Sequence, residues 1–123
     1  MTKILIVEDD IVLQKSLSEY LSSEGFEIVC ASNGEDGIKK AVSEKPALIL
    51  LDIVLPKKDG YEVLQEIKAS PETNTIPVVL LTNLNGVADV ERALELGATT
   101  YLVKADYKLE EVTSKIKEIL DIK

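Results

Sequence analysis

The sequence contains no histidine and no tryptophan, and it has a single cysteine among 123 residues. Without histidine, the chain cannot form Ser–His or Cys–His nucleophile systems or bind a metal through imidazole. The single cysteine, Cys30, lies in an apolar run from Ile28 to Ala31 and cannot form an internal disulfide. We expect a small buried hydrophobic residue there rather than a reactive thiol. Asp, Glu, Lys, Thr and Tyr remain as the side chains available for chemistry.

Long apolar runs are also missing. None approaches the roughly 18 residues that a membrane helix needs, and the first three residues lead straight into a predicted strand, without room for a signal peptide. Basic residues are in the minority, 14 against 22 acidic ones, for a net charge of −8. Such a surface should repel nucleic acid and anionic lipid. We therefore expect one cytoplasmic domain, spanning residues 1–123, with no membrane span and no direct nucleic acid binding.

An apolar run from Ala47 to Leu51 leads directly into Asp52. A continuous apolar run of this length is typical of a strand that is buried on both faces, as in the middle of a parallel sheet. Pro56 cannot donate to a sheet ladder, so the strand should end before it. Asp52 is then predicted at the carboxyl end of a central strand, where open α/β sheets bind their ligands.

Five strand patterns alternate with five helical ones along the chain. Parallel strands joined by right-handed helical crossovers predict a three-layer α/β domain. Asp10 is predicted to cap the first helix, and Gly25 to follow its end. The predicted strands cover Lys3–Val7, Phe26–Ala31, 47–52, Ile76–Thr82 and Thr99–Val103. The predicted helices run to about Ser23, over 35–44, 61–69 and 87–96, and from Leu109 to the chain end.

Helical spacing predicts which side chains of each helix face the core. These are Leu13, Leu17, Tyr20 and Leu21 in the first helix; Ile38, Ala41 and Val42 in the second; Val63, Leu64 and Ile67 in the third; Val90, Ala93 and Leu94 in the fourth; and Leu109, Val112, Ile116, Ile119 and Leu120 in the last.

Polar residues lie at or directly after the carboxyl ends of four predicted strands, and all should lie at one edge of the sheet: Glu8, Asp9, Asp52, Thr82 and Lys104. Three carboxylates repel one another at short range, and a Mg²⁺ ion with oxygen ligands would relieve the repulsion. A lysine and a hydroxyl group can then contact an anion. Together these groups suit phosphoryl transfer, with Asp52 as a carboxylate nucleophile. Each residue alone has a simpler explanation. The acidic pair could cap a helix next to a strand end and form a salt bridge with Lys104, Asp52 could be a cap or turn residue, Thr82 a plain strand end, and Lys104 a solvated lysine.

Four motifs then give the whole chain a family resemblance. They are Ile6–Asp10, Leu51–Pro56 with Asp59–Gly60, Leu80–Thr82 and Tyr101–Lys104. In this order and spacing the chain resembles a response-regulator receiver domain, the CheY-like module of two-component signalling. The resemblance implies a flavodoxin-like three-layer α/β/α sandwich, with a five-stranded parallel sheet of order 2-1-3-4-5 and five helices.

The resemblance also implies roles for individual residues around Asp52. Asp52 matches the phosphoacceptor of the family. Glu8 and Asp9 match the acidic pair that holds Mg²⁺ together with Asp52, and the backbone carbonyl of Val54 matches a further ligand.

Three other residues match the family's switch machinery. Thr82 and Lys104 match the residues that contact the phosphoryl group. Tyr101 matches the aromatic residue whose ring moves inward when Thr82 is drawn towards the phosphate. The face formed by the fourth helix, the last strand and the last helix is then the expected output surface. Outside the resemblance, Tyr101 would be interpreted as a strand aromatic half covered by the last helix.

The implied partners follow from the same resemblance. The phosphoryl donor in this family is a phosphohistidine on a sensor histidine kinase or a histidine phosphotransfer protein. A chain without histidine can receive that group but cannot relay it through a histidine of its own. We expect no enzyme activity beyond the protein's own phosphorylation and dephosphorylation, and a downstream effector protein or domain as the output partner.

The sequence departs from the family pattern near the site. Ala105 follows Lys104, where the family usually has a proline joined by a cis bond; we expect either a trans bond with a rearranged loop or retained strain. Asn83 stands where a small residue is common, and its amide could shield the phosphoryl group or reposition the attacking water. Val54 has no polar side chain to orient that water. These departures predict slow self-dephosphorylation.

Two other functions fit less well. A Mg²⁺-dependent phosphatase with an aspartyl nucleophile often needs a second acid two residues further on, and Val54 occupies that place. A nucleotide-binding Rossmann-like domain needs a glycine-rich loop after the first strand, where the acidic run Glu8–Asp10 would repel a pyrophosphate.

Overall fold

Five parallel strands form one sheet in the computed structural model, which describes residues 2–121. The strands are β1 (Lys3–Val7), β2 (Glu27–Ala31), β3 (Leu48–Leu51), β4 (Val78–Thr82) and β5 (Thr100–Val103). Their order in the sheet is β2-β1-β3-β4-β5, which confirms the order implied by the family resemblance. β4 is shorter than predicted and begins after Pro77, which has no N–H to donate to the ladder.

A helix follows every strand, as the alternating pattern predicted. The helices are α1 (Ile11–Ser23), α2 (Gly34–Glu44), α3 (Gly60–Ala69), α4 (Val87–Glu95) and α5 (Leu109–Ile119). α5 ends at Ile119 rather than at the chain end, and residues 122 and 123 lie outside the described range. A 3₁₀ turn at Lys104–Asp106 was not predicted. None of the described helices has both the length and the apolar character needed to cross a bilayer.

The strands divide their side chains between two apolar layers. In β1, Leu5 and Val7 face the layer that contains the inward side chains of α2, α3 and α4. Ile4 and Ile6 face the opposite layer, which contains those of α1 and α5. This alternation places the sheet between two sets of helices, because successive side chains of a strand point to opposite faces.

Two helical residues predicted to face the core do not. Val42 in α2 and Leu94 in α4 are 37% and 49% exposed. The neighbouring Ala41 and Ala93 are fully buried, as predicted. Their small side chains let each helix lie close to the sheet, and the larger residue next to each alanine then points outwards. Cys30, on the edge strand β2, is only half-buried, although burial raises the pKa of its thiol.

The strand register brings the predicted site residues to one edge. Val7 pairs with Leu51, so Glu8 and Asp52 are the next residues of two adjacent strands. The amide of Asp52 donates to the carbonyl of Val7 at 3.1 Å. Thr82 pairs with Val103, and Lys104 follows directly. Because all the strands are parallel, these residues lie at the same edge of the sheet. The side chain of Lys104 extends from the end of β5 past β4 to reach Asp52.

Candidate functional site

Three carboxylates converge at the carboxyl edge of the sheet. Carboxylate oxygens of Glu8, Asp9 and Asp52 lie within 4.8 Å of one another. Glu8 and Asp52 are only 3% and 6% exposed, whereas Asp9 is open to solvent. A set of three carboxylate oxygens is the kind of donor group that binds hard divalent cations, and one open side leaves room for water or phosphate oxygens. The cluster could therefore hold a metal ion.

Lys104 bridges the two buried members of this acidic cluster. Its Nζ atom lies 2.6 Å from Glu8 Oε1 and 2.8 Å from Asp52 Oδ2. Burial alone would lower the pKa of Lys104, but hydrogen bonds to Asp52 and Glu8 outweigh it and hold the pKa above 10.5. Burial raises the pKa of Glu8 above 4.5, against the opposing hydrogen bond from Lys104. The predicted convergence of Glu8, Asp9, Asp52 and Lys104 is confirmed, and Glu8 also forms the ion pair with Lys104 that the simpler explanation expected.

The segment between β1 and α1 is held by hydrogen bonds that involve three side chains, two as acceptors and one as a donor. Asp10 caps α1 as predicted, accepting from the amide of Leu13 at 3.2 Å. The amide of Asp10 donates to Glu8 Oε2 at 3.1 Å. Gln14, which the sequence analysis did not single out, donates through Nε2 to the carbonyl of Glu8 at 2.8 Å. The acidic residues are therefore presented by a well-connected loop.

The start of α3 packs directly on the backbone of Asp52. A Cβ atom at Gly60 would lie 2.4 Å from the carbonyl oxygen of Asp52 and 2.5 Å from the Cα of Ile53, so only glycine fits. The amide of Gly60 also donates to the carbonyl of Ile53 at 2.7 Å. The side chain of Asp52 is also held locally, because its Oδ1 atom accepts from the amide of Val54 at 3.3 Å. The side chain of Val54 is exposed.

Thr82 and Tyr101 are connected through Leu84. Thr82 is fully buried at the end of β4, and its Oγ1 accepts from the amide of Leu84 at 3.4 Å. The hydroxyl of Tyr101 donates to the carbonyl of Leu84 at 2.6 Å. Tyr101 packs against the apolar layer of α2, α3 and α4, so the interpretation that α5 covers it is wrong. Asn83, which lies between Thr82 and Leu84 in the sequence, is exposed.

The departure at Ala105 has a simple structural outcome. All peptide bonds between residues 2 and 121 are trans, including the bond from Lys104 to Ala105. A 3₁₀ turn follows β5 at this point, and Lys104 still reaches Asp52.

A second group of polar side chains joins α3 to α4, and the sequence analysis missed it. The hydroxyl of Tyr61 donates to Asp89 Oδ1 at 2.9 Å, and Arg92 Cζ lies 4.0 Å from the centroid of the Tyr61 ring. Burial, together with the carboxylate of Asp89, raises the pKa of Tyr61 to about 12. Tyr61 lies 28 residues before Asp89 in the sequence, so no local pattern indicates its contact with Asp89 and Arg92.

Comparison with known proteins shows which family the chain is similar to. The sequence pattern described as "Response regulator receiver domain" matches residues 4–117. The probable transcriptional regulator ycf27 of Cyanophora paradoxa is 40% identical over 96% of this chain and 48% of its own length. The alkaline phosphatase synthesis transcriptional regulatory protein PhoP of Bacillus subtilis is 38% identical, also over 96% of this chain and 48% of its own length. The chain thus spans about half the length of the curated relatives it matches.

Among solved structures, a response regulator receiver domain protein (CheY-like) from Methanospirillum hungatei JF-1 is similar along almost its whole length. It has a TM-score of 0.92 and 30% sequence identity, with 98% of this chain and 94% of that chain covered.

The ion pairs at the site generate a prediction about stability. Replacing Lys104 (Lys104→Met) leaves buried carboxylates without their cation, so we expect a loss of about 3 kcal/mol in the free energy of unfolding at neutral pH. The pKa of Glu8 is already raised above 4.5, and removing the lysine raises it further. A carboxyl group with a higher pKa in the folded state than in the unfolded state destabilises the fold only while it is ionised, so the deficit should shrink as the pH falls from neutral towards 4.5 and be small below that pH.

The measurement is urea unfolding of parent and variant across this pH range, in a chelating buffer. Lys115→Met is the matched control, since Lys115 Nζ lies 3.8 Å from Glu118 Oε2 on the surface and its removal should cost less than about 0.5 kcal/mol. Equal losses for the two variants at neutral pH would contradict the prediction.

Proposed function

This chain belongs to the response regulator receiver family, and from that premise we propose that Asp52 accepts a phosphoryl group from a histidine kinase or a histidine phosphotransfer protein. The chain is a signalling module of the two-component type, and we propose that residues 1–123 form one receiver domain. The observation that carries the proposal is the contact of Lys104 with both Asp52 and Glu8 inside an acidic cluster. A lone buried carboxylate has no means of stabilising a transferred anion, whereas this one has a cation beside it.

The donor set at the edge of the sheet fits Mg²⁺. We assign Glu8, Asp9 and Asp52 as its carboxylate ligands and, from the match to the family, the backbone carbonyl of Val54 as a further one. When bound, the ion supplies positive charge that neutralises the carboxylates and the incoming phosphoryl oxygens.

The transfer step is a nucleophilic displacement at phosphorus. One carboxylate oxygen of Asp52 attacks the phosphorus of the donor phosphohistidine. The O–P bond forms while the N–P bond breaks, and the leaving imidazole nitrogen keeps the electron pair. In the unphosphorylated structure, the ammonium group of Lys104 donates a hydrogen bond to Asp52 Oδ2 at 2.8 Å. After transfer it donates to one oxygen of the phosphoryl group, and the hydroxyl of Thr82 donates to another.

The switch follows from the connection between Thr82 and Tyr101. When the hydroxyl of Thr82 turns towards the phosphoryl group, its hydrogen bond from the amide of Leu84 is lost or displaced. The carbonyl of Leu84 accepts from the hydroxyl of Tyr101, so a movement of Leu84 changes the position of the Tyr101 ring. A two-state element made of the loop after β4, α4 and Tyr101 would thus respond to the phosphate.

The output is proposed to leave through the face formed by α4, β5 and α5. The curated relatives compared above are transcriptional regulators about twice the length of this chain. We propose that the domain contacts an effector protein or a further domain on this face. With a net charge of −8, the domain itself is not expected to bind nucleic acid or membranes.

Phosphorylation by a small phosphodonor tests the assignment of Asp52. Incubation with acetyl phosphate and Mg²⁺ should add one phosphoryl group to the parent but none to Asp52→Asn, as measured by intact-protein mass. Asp36→Asn, at an exposed position of α2, is the matched control and should be labelled like the parent. Chelation of Mg²⁺ should abolish labelling. Equal labelling of Asp52→Asn and the parent would refute the assignment.

Self-dephosphorylation tests the proposed roles of Asn83 and Val54. Both side chains are exposed beside the site, where an amide can shield the phosphoryl group and an apolar side chain cannot orient water. We expect Asn83→Ala and Val54→Asn to lose phosphate faster than the parent after the phosphodonor is removed, measured by mass over time. If neither variant is faster, this explanation of a slow rate fails.

A further inference from the structure

Gln14 connects the ends of two strands at the back of the acidic cluster. Its Nε2 atom lies 2.8 Å from the carbonyl oxygen of Glu8, 3.3 Å from that of Ala31 and 3.2 Å from Ser32 Oγ. Because carbonyl oxygens only accept hydrogen bonds, the nitrogen side of the amide must face them. One neutral side chain on α1 therefore ties the end of β1 to the end of β2.

The carbonyl that Gln14 holds belongs to the peptide between Glu8 and Asp9. The preceding peptide, between Val7 and Glu8, is also held, because the amide of Glu8 donates to the carbonyl of Ala31 at 3.0 Å. The two peptides flank Glu8, and the second one leads to Asp9, so their orientation directs the side chains of both acidic residues. We propose that Gln14 is a positioning residue for the cation site, acting through the backbone of Glu8; this role rests on the Mg²⁺ site proposed above.

The test compares two glutamines. Gln14→Met keeps the length and the neutral charge of the side chain but removes the donor, and Gln65→Met makes the same change at an exposed position of α3. Calorimetric titration of the unphosphorylated protein should show Mg²⁺ affinity about tenfold weaker for Gln14→Met and unchanged for Gln65→Met. Loss of the hydrogen bonds to partly buried carbonyl groups should lower the melting temperature of Gln14→Met, so the titrations are run well below it, where a merely structural role would leave the Mg²⁺ affinity unchanged.

Gln14→Asn is a second variant, since its amide is one methylene too short to reach both carbonyl oxygens; it should resemble Gln14→Met. Parent-like Mg²⁺ affinity in these variants overturns the positioning role and leaves the proposed function intact. Absence of Mg²⁺ binding by the parent refutes the cation site, and the role of Gln14 with it.

An independent observation concerns how α4 is attached. Ala93 is its one buried residue, and Gly86 at its amino end gives no side-chain cap. Val87 and Leu94 leave 74% and 49% of their surface exposed. A helix with so little apolar burial depends on its few specific contacts to stay in place.

Tyr61 supplies two such contacts. It is only 7% exposed, its hydroxyl donates to Asp89 Oδ1 at 2.9 Å, and its ring lies under the guanidinium of Arg92 at 4.0 Å. Asp89 and Arg92 are three residues apart and thus lie on the same side of α4. Tyr61 directly follows Gly60, which packs on the backbone of Asp52. The contact therefore links α4 to the segment that carries the proposed phosphoacceptor.

We propose that the contact of Tyr61 with Asp89 and Arg92, the α3–α4 latch, holds α4 in the conformation described here and opposes the switch. The proposal rests on the phosphoacceptor function of Asp52. Since the latch is broken when α4 moves, weakening it destabilises the starting conformation relative to the switched one. A ligand that favours the switched conformation then binds more tightly.

Beryllofluoride, an analogue of the phosphoryl group, is the probe for this experiment. Tyr61→Phe removes only the hydroxyl and keeps the ring under Arg92. In the presence of Mg²⁺, its beryllofluoride affinity, followed by NMR titration, should rise about tenfold, equivalent to about 1.4 kcal/mol. Tyr20→Phe, at a half-buried position of α1, is the matched control and should bind like the parent.

Asp89→Ala removes the carboxylate that accepts from the hydroxyl of Tyr61, and this variant should also bind beryllofluoride more tightly than the parent. Unchanged affinity in both Tyr61→Phe and Asp89→Ala means that the latch is present in both conformations and overturns the proposal, as does weaker affinity. A parent that binds no beryllofluoride with Mg²⁺ refutes the proposed phosphoacceptor site itself, which is a separate result.

Discussion

The interaction on which the site depends is the attraction of one lysine for two buried carboxylates. Glu8 and Asp52 are almost completely buried. Away from water, their like charges repel each other strongly. Lys104 contacts both of them and compensates part of this repulsion. One positive charge does not balance three carboxylates, so the edge keeps a local excess of negative charge. That excess favours a divalent cation, and the cation together with Lys104 makes an added phosphoryl group tolerable.

The backbone makes this arrangement rigid. Glu8, Asp52 and Lys104 each follow the last residue of a strand, so the hydrogen-bonded sheet determines their separation. Gly60 lets α3 begin against the backbone of Asp52, and Gln14 ties the loop after β1 to β2. The groups that would meet the phosphoryl group are therefore held by the scaffold rather than by mobile loops, as precise positioning requires.

The opposite is true of α4, where the signal is proposed to leave. This helix buries little apolar surface and is held through Tyr61, while the loop before it connects Thr82 to Tyr101 through Leu84. A rigid site next to a loosely attached helix allows a local change of charge to move a large surface.

The sequence by itself determined the number and order of helices and strands along the chain, and it placed Asp52 at the shared edge, because parallel βα units bring strand ends together. The order of strands within the sheet followed from the family resemblance, since an apolar strand pattern does not identify its neighbours. The outward positions of Val42 and Leu94 depended on how closely each helix approaches the sheet. The contacts of Gln14 and Tyr61 join residues far apart in the chain. Only the tertiary structure decided these, because packing and long-range hydrogen bonds have no local signature.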